Sequence, residues 1–124
     1  MNALRIIVIG MATLVAGCSQ KKHSTADVER GQKALSAALD SWKNNEPADR
    51  LKTLADPVEY TDELRLSHRL VDYTVGKPDP ADPEVIRYPV TLKLQDRKGK
   101  AVSRDVVFMV AMKSPIVIAR DPYE

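Results

Sequence analysis

Cysteine occurs once, at Cys18, and histidine twice, at His23 and His68. A lone cysteine cannot build an internal disulfide framework. One cysteine and two histidines also fall short of the four-ligand set of a structural zinc site. Aromatic residues make up 5% of the chain, with one tryptophan, Trp42, and one phenylalanine, Phe108. The core must therefore be built from Val, Leu, Ile and Ala. The five glycines are scattered and make no loop able to cradle a phosphate. Neither sign of charge dominates: 19 basic residues face 17 acidic ones. That balance gives too weak a field to argue for nucleic acid. At 124 residues, the chain has room for one small domain.

What is present begins at the N-terminus. Met1 to Arg5 carries one basic side chain, and Ile6 to Val15 is uncharged and mostly apolar. Small Ala16 and Gly17 then lead into Cys18. A basic start, a short apolar middle and a small-residue end describe an export signal. A membrane-spanning helix fits less well. Ile6 to Gly17 would cover roughly 18 Å as a helix, against a hydrocarbon core of ~30 Å, and Arg5 stops the run from lengthening backwards.

Val15-Ala16-Gly17-Cys18 resembles the lipobox of bacterial lipoproteins. In that family the cysteine thiol is alkylated with diacylglycerol, the chain is cut just before it, and the new amine is often acylated with a chain such as palmitate. The resemblance implies residues 1–17 as a signal peptide and Cys18 as the lipidation site. Residues 18–24 become a short linker, and 25–124 a single domain held at the membrane of the cell envelope. A thiol is the side chain best suited to form the thioether. Lipidation would also consume the one free cysteine. In diderm bacteria Asp after the cysteine tends to retain such proteins at the inner membrane. Ser19 therefore implies transfer to the outer membrane, facing the periplasm. Lys21 and Lys22 either solvate the linker or touch anionic headgroups.

Past the linker, Val28, Leu35, Leu39 and Trp42 are spaced by 7, 4 and 3 residues, with Ala34 and Ala38 beside them. This stripe predicts a helix over Ala26–Asn44. Ser24 or Thr25 caps its start, and Asn44-Asn45 provides a left-handed stop. Pro47 opens a second, short helix through Leu54, and Asp56-Pro57 closes it. From Val58 onward the period becomes 2. Val71, Tyr73 and Val75 alternate with Leu70, Asp72 and Thr74. Ile86, Tyr88, Val90, Leu92 and Leu94 share one face of a strand over Val85–Gln95, and Val102 to Met112 returns with Val106, Phe108, Val110 and Met112 on one side. Gly99 takes a positive φ in the hairpin between them. Pro89 lacks a backbone donor and belongs at an edge or a bulge. Gly76 to Glu84, with three of the eight prolines, forms a solvent loop. Ser114-Pro115 turns into a last strand, Ile116 to Ala119.

A helix followed by strands gives α+β: a long N-terminal helix packed on a curved antiparallel sheet of three to five strands. This order resembles the cystatin/nuclear-transport-factor-like group, where a helix lies in the concave face of a curved sheet. Ala-Leu-Asp-Ser-Trp-Lys, then Val-Asp-Tyr, then Ile-Val-Ile-Ala-Arg-Asp are similar to small exported bacterial proteins of that shape. That resemblance lends no reaction.

The residues that could carry chemistry are few. His68 follows Ser67, but a nucleophile and base must meet across the fold, and His68 reads as exposed at a strand start. Asp62-Glu63 could serve as a carboxylate pair, yet they sit in a charged stretch and read as solvated. Arg97, Lys98, Lys100 and Arg104 surround a hairpin tip. They either meet phosphates or acidic lipid, or blunt a strand edge. Trp42 either lines the mouth of a pocket or closes the core over Tyr73 or Tyr88. No cofactor or metal site is expected. The expected function is a non-enzymatic binding or scaffolding domain with an envelope protein as a possible partner. The alternative is a small-molecule binder or enzyme using the hollow between helix and sheet, with His68 or Asp72 pointing into it.

Overall fold

The computed structural model describes residues 23–123. Cys18, the signal segment and most of the linker lie outside them. The architecture is α+β, with a helix packed on a strongly curled, half-barrel sheet of five strands. Helix α1 runs Thr25–Lys43. Ser24 accepts a hydrogen bond from the Asp27 N–H at 3.1 Å, and Asp27 reciprocates on the Ser24 N–H at 3.2 Å. This capping box satisfies two donors that a helix start leaves open. Asn44 and Asn45 end the helix, with Asn45 at φ 55°. The short helix expected after Pro47 is a tighter 3-10 segment, Ala48–Thr53.

Strand β1 is Val58–Tyr60 and helix α2 is Glu63–Ser67. The remaining strands are β2 Arg69–Val75, β3 Val85–Gln95, β4 Ala101–Ala111 and β5 Ile116–Arg120. The sheet order is β1-β5-β4-β3-β2. β2, β3, β4 and β5 form antiparallel pairs. The expected all-antiparallel sheet is corrected at one edge: β1 runs parallel to β5, with Val58 opposite Ile116 and Tyr60 opposite Ile118. A parallel pair needs a long crossover, and here the intervening strands supply it.

Two strand positions depart from simple alternation. Leu70 is buried, and so would Val71 be exposed and Asp72 buried by strict period 2. The register instead shifts between Leu70 and Asp72. Val71 bulges out at 46% exposure, and Tyr73 and Val75 swing to the core side with Leu70. A bulge of this kind also bends the strand. Pro89 sits in β3, which is neither an edge strand nor bulged there, contrary to expectation. It pairs with Val107, while its carbonyl accepts the Gly76 N–H at 2.7 Å, one residue beyond the end of β2. Its missing N–H therefore faces the place where the neighbouring strand stops.

The concave face of the sheet receives α1. Leu35, Leu39, Ile86, Tyr88, Leu92, Phe108, Val110 and Ile116 are fully enclosed, and Trp42 is 4% exposed. Gly31 is buried on α1 where Tyr88 passes beneath: a Cβ there would strike the Tyr88 hydroxyl. That hydroxyl donates to the Val28 carbonyl at 2.7 Å.

Candidate functional site

The polar chemistry gathers around α2, at the Lys43 end of α1. Asp62 caps α2 by accepting the Leu64 N–H at 3.0 Å. Its side chain is 1% exposed, which corrects the solvated reading; Glu63 beside it is exposed. Arg120 of β5 donates through Nε to both Asp62 oxygens at 3.1 and 3.2 Å, and the Tyr60 hydroxyl donates at 3.2 Å. Burial, reinforced by the Asp62 charge, pushes the Tyr60 phenol far above its ordinary value. Tyr60 also meets Phe108 edge-to-face at 6.1 Å between centroids. Asp62 is thus occupied from three directions, an arrangement that fixes β1, α2 and β5 to one another.

α2 is tied to α1 from its other side. Arg65 Nη2 donates to the Glu46 carbonyl and to Ser41 Oγ. Its Nη1 is closed off from water and has no hydrogen-bond partner. Trp42 Nε1 donates to the His68 carbonyl at 3.0 Å. His68 is half-buried, with Nδ1 2.7 Å from Ser67 Oγ. Ser67 and His68 do meet, but as chain neighbours, and among the described residues no carboxylate forms an ion pair with His68. Leu66 stands 79% exposed on the outer side of α2.

Between α2 and the β3–β4 turn lies an open groove of about 610 Å³. Trp42, Arg65, His68, Arg69 and Arg97 line it, and Asp96 is its acid. One Asp96 oxygen is engaged by the Lys98 and Lys100 N–H groups, both at 2.9 Å. The charge pairing elsewhere makes this groove distinctive. Among the described residues, Arg30, Arg50, Arg87 and Arg120 are ion-paired with Asp56, Glu46, Asp121 and Asp62. Arg65, Arg69, Arg97 and Arg104 have no such carboxylate, and three of these four line the one groove.

A second groove, about 630 Å³, runs along the opposite end of α1. Ala26, Ala34, Ala37, Leu54 and Val58 give it an apolar lining. Arg30 and Asp56 bridge its rim through two hydrogen bonds of 2.6 and 2.8 Å. The Arg30 hydrogen bond holds the Asp56 carboxyl below its ordinary range.

The other residues singled out in the sequence scatter. Asp72 is exposed and faces Lys43 at 3.5 Å. Lys98 and Lys100 are exposed in the turn, while Arg104 is half-buried on β4. His23 lies 3.8 Å from Asp27. Trp42 belongs to the core, with its indole N–H at the groove. Among the described residues no group of three or more His, Cys, Asp or Glu side chains could hold a metal, and no helix is long and apolar enough to cross a membrane. Sequence reasoning passed over Tyr60, Arg65, Arg69 and Arg120. The available signal was Arg65 and Arg69 flanking His68, four residues apart. No protein-family model, curated protein or solved structure matches this chain.

Proposed function

We propose that the protein is an envelope lipoprotein, anchored through Cys18, whose domain binds or scaffolds by its outer surface and performs no catalysis. The observation that carries the binding-surface part is the filled space beneath α1. Leu35, Leu39, Tyr88 and Phe108 are fully enclosed there, so the hollow that a pocket enzyme of this shape would use is occupied by side chains. Both buried carboxylates among the described residues are committed: Asp62 to Arg120, Tyr60 and the α2 cap, and Asp121 to Arg87 and the Tyr123 N–H. General acid–base work needs a group free to exchange protons with a substrate. The helix in a curled sheet accords with the cystatin/nuclear-transport-factor-like shape, and the anchor reading rests on Val15-Ala16-Gly17-Cys18. The residues from Ser19 to Ser24, between the lipidated cysteine and the domain, span under ~22 Å, so the domain rides close to the bilayer.

Mass spectrometry of the protein from a bacterial host tests this directly. A mature chain starting at a diacylglycerol-modified Cys18 is the expected result, and Cys18→Ala should leave the precursor uncut. A free thiol at residue 18 of the mature protein would remove the anchor from the proposal.

A further inference from the structure

We propose that the groove between α2 and the β3–β4 turn binds a phosphate-bearing ligand, with the Arg69 and Arg97 guanidiniums as its contacting forks and Arg65 as a sheltered charge behind them. This deepens the binding-domain reading and rests on it. The argument starts from charge. Four of the eight described arginines are ion-paired with a carboxylate. Of the other four, three line this one groove and Arg104 lies elsewhere on β4. Arg65 comes from α2, Arg69 from the first position of β2, and Arg97 from the β3–β4 turn. The Arg69–Gln95 register pair brings the last two elements together. Two stretches well apart in sequence, Arg65 with Arg69 and the turn at Arg97, therefore bring three cations without a carboxylate partner to one concavity, and like charges so placed repel unless an anion joins them.

The chemistry of the donors selects the anion. A guanidinium offers a planar fork of N–H groups. A carboxylate presents its two oxygens in a single plane. A phosphate presents its free oxygens, three in a monoester and two in a diester, in a tetrahedral array that forks arriving from different directions can share. Arg65 contributes charge and not contact: its Nη1 is shut away from water, so it adds to the positive field of the groove from behind. The acid that lines the groove, Asp96, accepts two backbone N–H groups of the turn. Trp42, whose indole N–H is bonded to the His68 carbonyl, and His68 itself also line the groove. Leu66, 79% exposed on the adjacent ridge, is placed to enter an apolar layer if the phosphate belongs to a lipid headgroup.

Trp42 is the only tryptophan, so its emission reports on this groove. The mature full-length protein in detergent is titrated with inorganic phosphate and with glycerol phosphate, using acetate and chloride at matched ionic strength as controls. It is also placed in phosphatidylcholine vesicles with and without phosphatidylglycerol. The expected result is a saturable emission change with a phosphate species and none with acetate. Arg69→Gln and Arg97→Gln should each weaken it about tenfold, the scale of a lost charge-assisted hydrogen bond. Arg50→Gln, outside the groove, should not. A response to soluble phosphates identifies a free phosphate ester; a response confined to phosphatidylglycerol vesicles identifies a headgroup. No saturable response to any phosphate species overturns the proposal. So does an equal response to acetate, or one that survives the Arg69→Gln/Arg97→Gln double variant in a protein of unchanged melting temperature. The soluble titrations do not depend on what Cys18 carries, so their failure is separable from failure of the anchor reading.

Discussion

The middle of α1 and its Lys43 end are stabilised in different ways. Along its middle, Leu35 and Leu39 are fully enclosed in the same apolar cluster as Phe108. Here stability comes from apolar area removed from water, and any side chain of similar volume would serve. At the Lys43 end, α2 is held by directed bonds: Asp62 to Arg120, Arg65 to the Glu46 carbonyl, Trp42 to the His68 carbonyl. Such bonds add modest net stability but fix position, and they are expensive to break on one side only. The middle of the helix makes the domain fold. The end makes it hold α2 in one place, with charge left over.

Substitutions can sharpen that contrast. Leu39→Ala should cost about 2–5 kcal/mol, as buried leucine truncations do, whereas Leu66→Ala should leave the melting temperature unchanged because Leu66 is 79% exposed. Denaturant titration of both variants checks the pair; equal effects would erase the distinction. Asp62→Ala should cost about 3 kcal/mol, the low side of breaking a buried ion pair, since the Arg120 side chain is 18% exposed and can turn toward water. It should also release α2, read as faster hydrogen exchange at Leu64 and His68 than in the rest of the fold.

Gly31→Ala tests the middle by a change of sign. Helix propensity favours alanine by about 1 kcal/mol, but overpacking costs about 1–3 kcal/mol, and the new methyl would displace the Tyr88 hydroxyl. A net loss of about 1 kcal/mol is expected, recovered when Tyr88→Phe removes that hydroxyl. A gain from Gly31→Ala alone would show that Tyr88 yields freely.

The smallest effect is in pH. Burial raises Tyr73 and Tyr88 to about 12 and Tyr60 higher still. Groups with raised native values contribute stability that is complete below the unfolded value, near 10, and lost as pH rises through the native ones. Stability should therefore decline above pH 10, read as a melting temperature that falls as pH rises through the native values of Tyr73 and Tyr88.

Much of the middle was legible in the sequence because it repeats. The Val28–Trp42 stripe gave the helix to within a residue at each end, and the β3 and β4 faces were read position by position. The Lys43 end was not. α2 has five residues, too few for a period to register. The burial of Asp62 depends on Arg120, 58 residues later, and no local pattern announces a partner at that distance. The Val71 bulge escaped for a related reason: an inserted residue leaves alternation intact on either side and only shifts its phase. β1 was hidden by its length of three residues and by a neighbour, β5, that is reached only after the rest of the sheet.

That last pairing has a consequence in time. β2, β3 and β4 are linked by successive turns and can zip as they are made, at little cost in loop closure. β1 has one neighbour only, β5, so Val58–Tyr60 must wait for Ile116–Ile118. A chain that emerges from its N-terminus onward therefore carries an unpaired strand and an uncompensated Asp62 until nearly all the described residues are out. Arg120 then arrives with β5 and closes both at once. We expect this closure to be the slow step of folding and the first to reverse, so that protease cutting the native protein should enter near Pro57 or Pro115, before it reaches the meander.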